Sequence, residues 1–179
     1  MPDDVLVRLV ALRHGETTLN AAGLLTGQLD PPLTARGREQ ARAAAPLVAG
    51  AFDVVVHSGT ARTAETLRLA RPGGAAAEVD ARWRERSFGA LEGRPRATWP
   101  TAPGLDAAPP GGESYRALSV RVQAALDDLR ARGRADGRPL DVLLCTHSGV
   151  LRALSALTAG DDAFTRPGAA NGAVVRLEL

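Results

Sequence analysis

A three-layer α/β/α sandwich around a mostly parallel central sheet is the fold class this sequence predicts, and three observations carry it. Strand-like apolar runs alternate with stretches of helical periodicity along the 179 residues, the pattern of strand–helix–strand units. The runs are continuous rather than alternating, as suits strands covered on both faces. Three of them are followed at once by a polar loop: Arg13-His14-Gly15-Glu16-Thr17, Ser58–Arg62 and Thr146-His147-Ser148-Gly149. Open α/β sheets bind ligands beyond the carboxyl ends of their strands.

Taken in order, Val5–Leu12 reads as a buried strand with a single charge. Thr34 is a good N-cap for a helix in which Ala41, Ala44, Ala45 and Val48 recur at helical spacing. Phe52–Val56 predicts a second strand and Ala61–Ala70 a helix, stopped by Arg71-Pro72-Gly73-Gly74. Pro95–Gly112 is rich in Pro, Gly and Ala, and a loop of that length inside a compact domain reads as a lid or substrate wall. Glu113–Arg132 predicts the longest helix, with Tyr115, Leu118, Val122, Ala125, Leu126 and Leu129 in one apolar stripe. Leu140–Cys145 predicts a third strand, Val150–Leu157 a helix, and Gly172–Leu179 a strand at the sheet edge.

The length suits a single domain spanning residues 1–179. Its apolar runs are too short for a membrane span. The acidic start Met1-Pro2-Asp3-Asp4 lacks a signal-peptide layout, and the lone Cys145 allows no internal disulfide, so a cytoplasmic protein is expected. All 22 basic residues are Arg, a bias that fits solvated helix faces beside Asp and Glu. Aromatic residues make up only 3%, too few for base-stacking platforms, so nucleic acid is not an expected partner.

The polar loops collect Arg13, His14, Asn20, Arg62 and His147, and Arg84-Glu85-Arg86 adds a carboxylate. Paired guanidinium groups and an amide match a tetrahedral oxyanion. A neutral imidazole can attack phosphorus, fixed cations stabilise the spread charge without a metal, and a carboxylic acid can protonate the departing oxygen. From spacing alone, Glu85 could equally be an exposed salt-bridged turn, and Arg62 a solvent-facing residue of a first helical turn. His57 is read as structural.

These motifs together resemble the histidine phosphatase superfamily, also called the phosphoglycerate mutase-like family. Leu12–Asn20 (LRHGETTLN), Gly27–Ala41 (GQLDPPLTARGREQA), Ser58–Arg62, Glu85–Gly93 (ERSFGALEG) and Thr146–Arg152 (THSGVLR) carry the resemblance in order along nearly the whole chain. It implies a phosphoglycerate mutase-like fold and a phosphohistidine intermediate on His14. It implies Arg13, Asn20, Arg62 and His147 as the phosphate pocket and Glu85 as proton donor. Thr26, Gly27 and Ser148 match positions that touch substrate in mutase-type members, and Glu16 is expected to order the loop. Leu24 stands where many relatives have Arg, and Gly59-Thr60 where Asp-Leu is commoner. Mutases of the family carry a longer basic middle insertion, so this shorter chain is expected to be a phosphomonoesterase acting on a phosphorylated small molecule. The alternatives are a cofactor-dependent phosphoglycerate mutase or related phosphoryl-transfer enzyme, and a non-catalytic phosphate-binding module.

Two other chemistries fit less well. A cysteine phosphatase needs Cys-x5-Arg, but five residues after Cys145 the next position is Leu151, with Arg152 one too far. A metallohydrolase needs clustered ligands, and His14, His57 and His147 are far apart in sequence. No cofactor or metal is therefore expected. Specificity is assigned to the Trp83–Gly112 region, where Arg82, Arg84, Arg94 and Arg96 could meet further anionic groups and Trp99 an apolar one.

Overall fold

The computed structural model describes residues 6–74, 76–100, 104–159 and 168–179. Five strands form one sheet: β1 (Val7–Arg13), β2 (Val54–His57), β3 (Glu78–Val79), β4 (Leu140–Thr146) and β5 (Val174–Glu178). Their order is β3-β2-β4-β1-β5. The first four run parallel, and β5 pairs antiparallel with β1 at the edge. The helices are α1 (Thr18–Ala21), α2 (Ala35–Ala43), α3 (Ala61–Ala70), α4 (Tyr115–Asp136) and α5 (Ser148–Ala159).

Side chains of a strand alternate between faces, and β4 shows why its sequence is apolar without a break from Val142 to Cys145. Val142 and Leu144 join Val7, Leu9 and Val56 under Leu118, Val122 and Leu126 of α4 and Leu154 of α5. Leu143 and Cys145 point the other way, into a cluster with Leu12, Val55, Ala44, Val48 and Leu67. Helices therefore cover both faces. All six stripe residues expected on the longest helix are buried.

Several boundaries moved for physical reasons. The helix capped by Thr34 ends at Ala43 rather than running to Val48, and a 3-10 turn over Ala45–Leu47 follows. Pro46 has no N–H to continue an α-helical ladder. Helix α4 starts at an N-cap on Ser114 and runs a turn beyond Arg132, to Gly137 at φ 65°. Strand β3 is only two exposed residues, too short and polar to leave a sequence signal. Val5, the first residue of the expected strand, lies outside the described residues, as do residues 101–103 of the expected lid or wall. The next described residues of that wall are tied to neighbouring loops: Leu24 bridges to Pro95, and Ala90 N–H donates to Pro110 O. No described helix is long and apolar enough to cross a membrane.

Candidate active site

The sheet order explains why residues distant in sequence meet. Strands β1, β4 and β2 are neighbours and parallel, with Arg13 opposite Thr146 and His57 opposite Cys145. Their carboxyl ends, and the three polar loops, thus emerge side by side. The backbone N–H of His14 donates to Thr146 O at 3.0 Å, extending the ladder into the loop. The rings of His14 and His147 then sit edge to face, with centroids 5.0 Å apart. Helix α2 approaches this loop so closely that a Cβ on Gly15 would fall 2.2 Å from Gly37 O, and one on Gly37 2.0 Å from Glu16 O.

His14 is 3% exposed and lines a cavity of about 180 Å³. Its Nδ1 lies 2.7 Å from Gly15 O. A carbonyl only accepts, so Nδ1 carries the proton and Nε2 keeps a lone pair. Burial, with Arg62 and Arg13 nearby, pushes the ring pKa down to about 3, so the imidazole is neutral at pH 7.

Arg62 occupies the first turn of α3 and is 1% exposed. Thr60 at the N-cap position makes no side-chain cap. Asp30 caps the helix instead, accepting from Ala61 N (2.6 Å) and Arg62 N (3.3 Å), and it also takes Arg62 Nη1 at 3.0 Å. Arg62 Nη2 donates to Gly27 O at 3.0 Å and lies 3.3 Å from His147 Nδ1. A guanidinium only donates, so His147 Nδ1 accepts and its Nε2–H points to Ser58 Oγ at 2.8 Å. Ser58 is held in turn by the hydroxyls of Thr60 and Thr63. His147 is fully buried and does not itself line the cavity; it adjoins it through Arg62 and His14. Burial first, then His14, Arg62 and Arg13, hold its pKa well below the ordinary value.

Arg13 Nη1 donates to Ala169 O. Among the described residues the Nε atoms of Arg13 and Arg62 are buried with no hydrogen-bond partner, and burial lowers the pKa of both cations. Asn20 closes a capping box with Thr17 on α1 and also lines the cavity. Glu85 Oε1 accepts from Arg86 N at 2.9 Å and Gly149 N at 3.0 Å. A Cβ on Gly149 would fall 2.2 Å from that oxygen, so the start of α5 accepts the carboxylate only because it is glycine. Thr26, Gly27, Glu85 and Ser148 also reach the cavity wall.

Other residues were not legible beforehand. Asn171 donates to both His14 O and Asn20 Oδ1 at 3.1 Å, and a lone Asn-Gly turn gave no hint of that. Arg121 of α4 donates to the carbonyls of Arg82, Arg84 and Glu85 while forking onto Glu113. Glu92 ties the two loops together, accepting from Gln28 N and Phe88 N. Glu16 orders its loop, accepting from Thr34 Oγ1 at 2.8 Å. His57 faces a different cavity, beside Arg68 and Arg71. Of the four arginines expected at the specificity region, only Arg96 lines the site cavity. Arg82 is taken by Asp80 and Asp128, and Arg84 Nε reaches Ser58 O. Arg86 and Arg152 line the cavity instead.

Cys145 is buried, and burial pushes its thiol pKa up, away from nucleophilic thiolate. Among the described residues, no three His, Cys, Asp or Glu side chains gather to hold a metal.

Comparison with known proteins places this geometry in a family. Residues 9–179 match the histidine phosphatase superfamily (branch 1). Over 164 residues the chain is 36% identical to a glucosyl-3-phosphoglycerate phosphatase of Mycobacterium tuberculosis, covering 83% of this chain and 74% of that protein. It is 34% identical over 164 residues to a 2,3-bisphosphoglycerate-dependent phosphoglycerate mutase of Methylobacterium radiotolerans, covering 82% and 76%. The solved structure of a mycobacterial glucosyl-3-phosphoglycerate phosphatase with VO3 superposes with a TM-score of 0.84 at 30% identity, covering 96% of this chain and 91% of that one. The chain belongs to branch 1 of the histidine phosphatase superfamily.

Proposed function

We propose that this superfamily member hydrolyses a phosphomonoester of a small molecule in two steps, without a metal, through a phosphohistidine on His14. One observation carries the reading. A neutral imidazole with its Nδ1 tied down stands at the wall of a cavity that the buried Arg62 and the partly buried Arg13 also line. A tetrahedral oxyanion supplies acceptors that match the two guanidinium groups gathered there.

In the first step Nε2 of His14 attacks phosphorus, the bond to the leaving oxygen breaks, and protonated Glu85 gives that oxygen its proton. In the second, water attacks phosphorus, the P–N bond breaks, and the Glu85 carboxylate takes the water's proton. Arg13, Arg62 and Asn20 hold the non-bridging oxygens in both steps. His147 serves this pocket by fixing Arg62 and by crowding the His14 ring; Thr26, Gly27 and Ser148 line the path of the alcohol part. Trp99 and Pro100 form a wall beside it. A cytoplasmic setting, with Cys145 reduced, goes with this reading.

The test is a screen over phosphorylated metabolites with acid-labile, alkali-stable phosphoenzyme trapped during turnover. Release of inorganic phosphate, loss of both signals in H14A and inhibition by vanadate are expected. Turnover without a trapped intermediate overturns the covalent route. Some named relatives are mutases, so 3-phosphoglycerate with its bisphosphate primer belongs in the screen. Fast isomerisation with negligible phosphate release replaces the hydrolase reading by the mutase one.

A further inference from the structure

We propose that Asn171 is a positioning residue for the phosphate pocket: it holds the Asn20 amide so that the NH2 group, and not the oxygen, meets the bound oxyanion. This rests on the phosphatase reading for the role of Asn20. Asn171 stands 151 positions from Asn20 in sequence, in the turn that leads into β5. Strand β5 pairs antiparallel with β1. The pairing continues beyond the ladder, with Arg13 N–H donating to Ala173 O at 2.9 Å and Gly172 N–H to Arg13 O at 3.2 Å. Gly172 makes the turn at φ 76°, where a Cβ would fall 2.8 Å from Gln40 Cβ. The backbone thus delivers Asn171 against the loop that carries His14.

The partners fix which end of each amide is which. Thr17 N–H only donates and lies 3.2 Å from the facing atom of Asn20, so that atom is the oxygen Oδ1. The His14 carbonyl only accepts, so the Asn171 atom 3.1 Å from it is the nitrogen Nδ2. This nitrogen has two hydrogens, and its second partner is Asn20 Oδ1, also at 3.1 Å. The Asn20 oxygen is therefore held by two donors, one from the main chain and one from Asn171. The other end of the Asn20 amide, its NH2 group, meets Thr26 Oγ1 at 3.4 Å, and both residues line the cavity at His14. Thr26 can take one of its hydrogens, which leaves one for an oxyanion. The last torsion of an Asn side chain is broad and roughly two-fold, so an amide keeps one orientation only where its partners demand it. Turned over, Asn20 would set a carbonyl oxygen against the anion and a donor against Thr17 N–H. Asn171 opposes that turn, and the same nitrogen ties it to the backbone of the nucleophile.

The experiment is a double-mutant cycle on the full chain: Asn171→Ala, Asn20→Ala and the two together. It is read by kcat/KM for p-nitrophenyl phosphate and by the inhibition constant of orthovanadate. N171A should lose about tenfold on both readings, the scale of one hydrogen bond to a charged group, and N20A at least as much. In the N20A background the N171A change should cost less than about threefold, because groups in contact do not act independently. A double variant whose loss is the product of the two single losses overturns the assignment, since Asn171 would then act without Asn20. Wild-type values in N171A overturn it as well. Should N171A be unfolded at the assay temperature, N171S takes its place, with one hydroxyl hydrogen for two acceptors. Unfolding of both variants makes Asn171 a residue of the fold alone and also overturns the assignment. Failure of the phosphatase reading looks different, since wild type would then release no phosphate. In that event calorimetric binding of orthovanadate carries the same cycle with the same ratios expected, and a wild type that binds no orthovanadate overturns the positioning role with the pocket.

Discussion

At His14 a single hydrogen bond decides what the side chain can do. Gly15 O takes the Nδ1 proton, and the opposite nitrogen is left with a lone pair. The same logic sets His147, where Arg62 and Ser58 fix the ring from two sides. Glu85 is the residue whose chemistry spacing left open, and its role makes a separable prediction. Glu85→Gln keeps the shape but cannot give up a proton as an acid. Turnover of alkyl phosphates should fall by roughly 10²- to 10⁴-fold, the range of general acid catalysis, while p-nitrophenyl phosphate should lose far less. Rates measured over a series of leaving-group pKa values check this, and equal losses across the series remove Glu85 from the acid role.

Elements position these residues through contacts that cross from helix to loop. Asp30 caps α3 from another part of the chain, and the same carboxylate pairs with the guanidinium that α3 delivers. Arg121 does the corresponding work for Glu85: a fork on Glu113 leaves its remaining N–H groups aimed at three carbonyls of the 82–85 loop. Losing that clamp should let the loop drift, and sub-ångström placement matters to a proton donor. Arg121→Met is expected to lower kcat roughly 10- to 100-fold and to show the leaving-group pattern of Glu85→Gln in weaker form. Arg121→Lys should recover only part, because an ammonium cannot reproduce the planar fork. A uniform loss across leaving groups would make Arg121 a stabilising residue and nothing more.

For the molecule as a whole, the buried imidazoles link folding to pH. His14 has its pKa lowered from 6.5 to about 3, and His147 lies well below 6.5. Below 6.5 the unfolded chain binds protons at these sites that the folded chain refuses, so acid favours unfolding. Stability should be full above pH 6.5 and fall as pH drops toward about 3, with a slope of up to about 1.4 kcal/mol per pH unit for each histidine. Urea midpoints at pH 7.5 and 5.0 measure it, and H14N should flatten the dependence. An unchanged midpoint in wild type would mean these rings take up protons while folded.

The local sequence determined the elements and the reactive groups. Continuous apolar runs can be buried only between two helical layers, Thr34 and Ser114 each cap the helix they precede, and one stripe on α4 faces the core. Which side chains complete the site was decided by tertiary structure. Arg82 and Arg86 are two turns of phrase in the same Arg-rich stretch, yet the first meets Asp80 and Asp128 and the second lies buried among aromatic rings. Asn171, Asp30 and Arg121 act on groups tens of residues away. A hydrogen bond is satisfied in space, and its partner leaves no mark in the residues on either side.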